Sequence, residues 1–124
     1  MIDHISIPVS NLKQSREFYE KAFLPLGFRI SFGAEGRFWA FDLLGKGLFE
    51  IYQERDSFTK IHVAFRVKSI SAVHEFYREA MQAGAKDHGA PGPRPQYSPA
   101  YYASFVLDPD GHNIEAVHHR REAE

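Results

Sequence analysis

The chain has 124 residues, 25% of them charged and balanced to a formal net charge of −1, a length that suits one domain or two small halves sharing a core. Near-neutrality argues against nucleic acid or an anionic membrane as a main partner, and no apolar run is long enough to span a bilayer. The absence of cysteine excludes disulfides, thiolate metal sites and a cysteine nucleophile; a cytoplasmic location is expected.

Residues 3–9, DHISIPV, alternate, with Ile5, Ile7 and Val9 on one face and His4, Ser6 and Pro8 on the other. That is the pattern of a half-buried strand. Asn11 can cap a helix running to about Leu26, with Gln14 three residues on and Gly27 as the stop. Phe18, Tyr19, Ala22, Phe23 and Leu26 form its apolar stripe. FRISF, RFWAFDLL and LFEIYQ then read as strands separated by glycines. The order so far is βαβββ.

It then begins again. IHVAFRV (61–67) alternates with His62, Ala64 and Arg66 on the polar side, and Ser69 can cap a helix to about Ala83, stopped by Gly84. KDHGAPGPRPQYSPA (86–100) is too rich in glycine and proline for an interior strand and reads as an edge segment and long loop. YYASFVL and NIEAVHH are strands, joined by DPDG with Pro109 at the second turn position and Gly111 at the fourth. RREAE is a short tail.

The two halves superpose in sequence. EFYEKA (17–22) is echoed by EFYREA (75–80), and the same register pairs His4 with His62 and the cap Asn11 with Ser69. At the end of each half a second register pairs Glu50 with Glu115 and Arg55 with Arg120, the change being absorbed by the longer loop near 86–100. The chain is therefore one domain, 1–124, made of a first module of about 1–56 and a second of about 57–120.

A lone histidine on a strand face is most often half-exposed and inert, and a lone glutamate in a terminal strand is usually solvated. Recurrence at matched places of a duplicated unit changes that weighting. Buried carboxylates on a sheet face are costly unless paired or bound to a cation. Two of them converging with two imidazoles supply an N2O2 site for a divalent metal, with positions left for water or substrate.

From DHISIPVSNLKQSREFYEKA through IHVAFRV to SFVLDPDGHNIEAV, the chain resembles the vicinal oxygen chelate superfamily, the glyoxalase, bleomycin-resistance and dioxygenase group. The most specific stretch is the ending, DPDG with three intervening residues and then a strand glutamate. The resemblance implies an α+β fold: two tandem βαβββ modules forming a cup-like curved mixed sheet with helices outside. It implies one divalent ion (Zn, Ni, Mn, Co or Fe) on His4, His62 and Glu115, with Glu50 matching the fourth ligand of the glyoxalase I branch. It also implies a homodimer and a small substrate with vicinal oxygens. Glyoxalase-like lyase or isomerase chemistry is expected, with Glu115 or Glu50 as the catalytic carboxylate. The alternatives are an Fe(II) ring-cleaving dioxygenase, an antibiotic-modifying thiol transferase, and a non-catalytic drug-binding protein.

The proline-rich run 90–102 is either a substrate loop or a rigid edge that packs a dimer or covers a sheet. As a substrate loop it offers Arg94, whose planar fork suits an anion, with Tyr97, Tyr101 and Tyr102. Alternation allows only one of the last pair to face the cup. Trp39 and Tyr52 are further wall candidates. Of the other histidines, His74 reads as exposed on a helix, His88 as a loop residue, His112 as a turn residue at the rim, and His118 and His119 as strand-end residues.

Overall fold

The structure, a computed structural model, describes residues 1–122 and 124; the expected tail contains residue 123, which lies outside the described residues. The first module comprises β1 (His4–Val9), α1 (Leu12–Phe23), β2 (Arg29–Ala34), β3 (Phe38–Asp42) and β4 (Leu48–Gln53). The second comprises β5 (His62–Arg66), α2 (Ile70–Gln82), β6 (Lys86–Pro93), β7 (Tyr101–Leu107) and β8 (Asn113–His119). Both helices start where a side chain can satisfy a free amide. Asn11 Oδ1 accepts from Gln14 N at 3.1 Å, and Ser69 Oγ from Ala72 N at 3.0 Å.

Helix α1 ends before Leu26 because Pro25 has no N–H to continue the ladder and its ring crowds the preceding turn. Residues Leu24–Leu26 form a 3-10 turn instead, closed by Gly27 at φ 77°. The proline-rich segment after α2 holds more strand than its composition suggests. β6 is an edge strand, and its pairing with β7 shifts register on either side of Gly89. An edge is where Pro91 and Pro93 cost least, since their missing donors leave no ladder partner unpaired on the inner side.

Each module folds into its own four-stranded sheet, in the orders β1-β4-β3-β2 and β5-β8-β7-β6. β1 runs parallel to β4 and β5 parallel to β8, while the other pairs are antiparallel. This is the α+β, two-module βαβββ architecture. The two sheets turn their helix-bearing faces toward one shared core. Phe65 of β5 packs its ring 5.2 Å from Phe23 of α1 and 5.3 Å from Phe49 of β4, across the module boundary. Ile7, Val9, Phe49 and Ile51 share that core with Val73, Phe76, Val106 and Ile114. The opposite faces, which carry His4 and His62, look outward.

The DPDG turn joins the modules. Asp108 is buried, accepts from the Tyr19 hydroxyl of α1, and also caps the amides of Asp110 and His112 at 2.9 Å. Burial pushes the Asp108 carboxyl above its ordinary range. The Asp110 carboxylate accepts from Ser10 N at 3.1 Å. His112 is fully buried between the modules: Nδ1 accepts from Ile61 N at 3.0 Å, so Nε2–H donates to Pro8 O at 2.7 Å. It is a joint between β1 and β5, not a rim residue.

Candidate metal centre

The outer face of each sheet carries the same small arrangement. In the first, Ser6 of β1 lies directly opposite Glu50 of β4, and its hydroxyl donates to Glu50 Oε1 at 2.8 Å. His4 stands two residues before Ser6, on the same face. Its Nδ1 meets Asp3 Oδ1 at 2.7 Å, which leaves Nε2 free to ligate. The Asp3 carboxylate, and after it Glu50, hold the His4 imidazole above its ordinary pKa.

In the second sheet, Ala64 of β5 lies directly opposite Glu115 of β8, and His62 stands two residues before Ala64. His62 Nε2 is 2.8 Å from Glu115 Oε1, and the Tyr101 hydroxyl donates to Glu115 Oε2. Glu115 is only 2% exposed, while the His62 side chain remains 51% exposed. Burial, reinforced by the Glu115 hydrogen bond, pushes the Tyr101 phenol up to about 12, so it stays a donor at neutral pH. Asn113, directly opposite His62 across the β5–β8 pair, keeps a buried Oδ1 with no hydrogen-bond partner among the described residues.

Strand alternation sorts the other candidates. Tyr52 shares the outer face with Glu50, two residues along β4. Trp39 does not. It pairs with Ile51 on the inner face and lies under the Arg16 guanidinium of α1, 4.0 Å from its ring centre. Tyr101 faces outward with Glu115, and Tyr97 packs edge-on to it at 5.0 Å. Tyr102 points inward, its hydroxyl 2.7 Å from His74 Nε2 on α2. Arg94 folds over the outer face beside Phe105, which lies directly opposite Glu115. Asp3 adjoins His4 in sequence and Ser6 shares its strand face, but that Ser6 opposes Glu50, and that Phe105 and Asn113 neighbour the second pair, emerges only from the strand register.

The two pairs do not meet within one chain. Among the described residues, no group of three histidine, aspartate or glutamate side chains is close enough to hold one ion. His4 with Glu50, and His62 with Glu115, sit on faces that look away from the common core.

Residues 1–116 match the Glyoxalase/Bleomycin resistance protein/Dioxygenase superfamily. The chain belongs to this superfamily. Among its curated members, the metallothiol transferase FosB of Shouchella clausii is 31% identical over 118 residues, covering 92% of this chain and 77% of that protein. Superfamily structures share the fold across almost the whole chain. A glyoxalase/bleomycin resistance protein from Albidiferax ferrireducens superposes with a TM-score of 0.82 at 23% identity, covering 97% of this chain and 99% of the other. A lactoylglutathione lyase from Agrobacterium tumefaciens gives 0.73 at 15% identity, covering 95% and 92%.

Proposed function

We propose that this chain is a divalent-metal-dependent enzyme of the glyoxalase type, with a site assembled from His4 and Glu50 of one subunit and His62 and Glu115 of a second. The observation that carries this is the matched register: in both sheets the histidine lies two residues before the residue paired with the glutamate. Two imidazoles and two carboxylates fit a borderline divalent ion such as Zn, Ni or Co. Because the two pairs face away from each other in one chain, a dimer is the arrangement that lets them converge.

His4, Glu50, His62 and Glu115 would hold the ion, and its chemistry when bound would be that of a Lewis acid toward a carbonyl and the negative charge on vicinal oxygens. The side chains divide the remaining work. Glu115 is held by the Tyr101 hydroxyl on Oε2 and serves as the fixed ligand through Oε1, the oxygen that together with His62 Nε2 would exchange their mutual contact for the ion. Glu50 is tied only through Oε1, to Ser6. Its Oε2 is therefore the oxygen able to take a proton from the substrate carbon beside the carbonyl.

The match to a metallothiol transferase supports a second reading. In it His4, His62 and Glu115 form a three-ligand set, and Glu50 stays with Ser6. One variant separates the two. Wild-type protein purified without chelator is expected to bind about one divalent ion per chain and to melt higher when Ni, Zn, Co or Mn is added. Glu50→Gln should weaken that affinity about 100-fold or more under the four-ligand reading, since even residues that only orient ligands are worth about 10–100-fold. Unchanged affinity would move the assignment to the transferase reading. No metal uptake by the wild type would leave the superfamily's non-catalytic binding role.

A further inference from the structure

Arg94, expected from the sequence as an anion-binding residue, is built into the same face as the His62–Glu115 pair, and the metal chemistry proposed above does not use it. Its side chain folds back on the β6–β7 hairpin. Nη1 donates to Gly92 O at 3.0 Å and Pro93 O at 3.2 Å, and Nη2 to Ala90 O at 2.8 Å. The guanidinium carbon lies 5.3 Å from the centre of the Phe105 ring. Phe105 is the direct cross-strand partner of Glu115, and its ring centre is 6.2 Å from that of His62. The Arg94 guanidinium and the His62 imidazole thus lie against the same Phe105 ring.

Two glycines make room for it. A Cβ at Gly89 would come within 3.1 Å of Nη2 and 2.8 Å of the Phe105 ring, and one at Gly92 within 3.3 Å of Nη1. All three anchors are neutral carbonyls. Arg94 forms no ion pair among the described residues, and its Nε–H has no protein partner there. Two donors remain, Nε–H and a second Nη2–H, and those two can form the side-on edge that matches the two oxygens of a carboxylate. A guanidinium held rigid on neutral groups also binds an anion without first losing its rotamer freedom.

We propose that Arg94 is the subsite for a terminal carboxylate, so that the substrate class is a small acid carrying vicinal oxygens at one end and an anionic group at the other. This rests on the metal reading above and names its substrate class. Metal binding is therefore measured first, and a wild-type chain that takes up no metal defeats that reading and this inference with it.

The probes for metal-loaded protein are 2-oxoglutarate and 2-oxoadipate, each paired with the mono-acid of equal length ending in methyl, 2-oxopentanoate and 2-oxohexanoate. At least one diacid should bind about tenfold more tightly than its mono-acid, the worth of a charge-assisted hydrogen-bond pair. Arg94→Gln should abolish that preference while leaving mono-acid binding and metal affinity unchanged. A wild type with no diacid preference, or an Arg94→Gln protein that keeps it, overturns the proposal. So does an Arg94→Gln protein that loses metal or mono-acid binding, because the arginine would then be bracing the hairpin.

Discussion

Glu115 illustrates what a single residue's surroundings decide. A carboxylate at 2% exposure would be strongly unfavourable alone; His62 on one oxygen and Tyr101 on the other make it tolerable. Tyr101→Phe removes one donor and leaves a buried oxygen unsatisfied, so it should cost about 1–3 kcal/mol in urea unfolding. The pH dependence carries a matching sign. The folded phenol sits at about 12 against the ordinary 10.0. Its stabilisation is therefore present below pH 10 and is lost as pH rises through about 12, because the unfolded chain ionises first. Melting temperatures measured between pH 8 and 12 should fall less steeply for Tyr101→Phe than for the wild type. Parallel curves would mean the phenol does not titrate as a partner of Glu115. The sequence shows that only one of Tyr101 and Tyr102 can face the site, but choosing between them needs the β7–β8 register. Trp39 misled for the same reason: the glycine-interrupted run before Glu50 hides which residue of β3 opposes it, and the answer is Ala40.

At the scale of elements, the duplicated helices and strands were readable because both periodicities are clean and both caps are present. The EFY triplets are core and ruler: Phe18, Tyr19 and Phe76 are buried against the sheets, while Tyr77 is half-buried with its hydroxyl on Asp87. The β7–β8 turn was readable as a turn but not as a joint, since its partners, Ser10, Tyr19, Pro8 and Ile61, are remote in sequence. Parity did hold a clue, because His112 shares the core-facing alternation of Ile114 and Ala116. His112→Phe keeps a ring in that space but leaves Pro8 O and Ile61 N without partners. Denaturant unfolding should show a loss of about 2–4 kcal/mol, whereas His88→Phe at an exposed position should stay within about 0.5 kcal/mol. Equal stability of the two variants would remove His112 from the joint between modules.

For the whole molecule, the decisive fact is direction. Cores that face each other force the two His–Glu faces apart, so within a single chain no three histidine, aspartate or glutamate side chains converge to hold an ion among the described residues. Sequence repetition reveals that the halves are equivalent; it says nothing about which way they turn, because orientation depends on Phe65 packing against Phe23 and Phe49 across the module boundary. If two chains complete each other, His4→Ala and His62→Ala should each abolish high-affinity metal binding alone. Their mixture behaves differently. In a mixed dimer, the His4→Ala chain still offers His62 and Glu115, while the His62→Ala chain still offers His4 and Glu50. One of the two sites is then intact and the other lacks both histidines. Mixing the variants under conditions of subunit exchange should restore metal uptake, to a single ion per mixed dimer, measured by equilibrium dialysis after separating the mixed species with distinct tags. A site closed within one chain predicts no recovery at any mixing ratio, because every chain in the mixture would then carry a damaged site of its own.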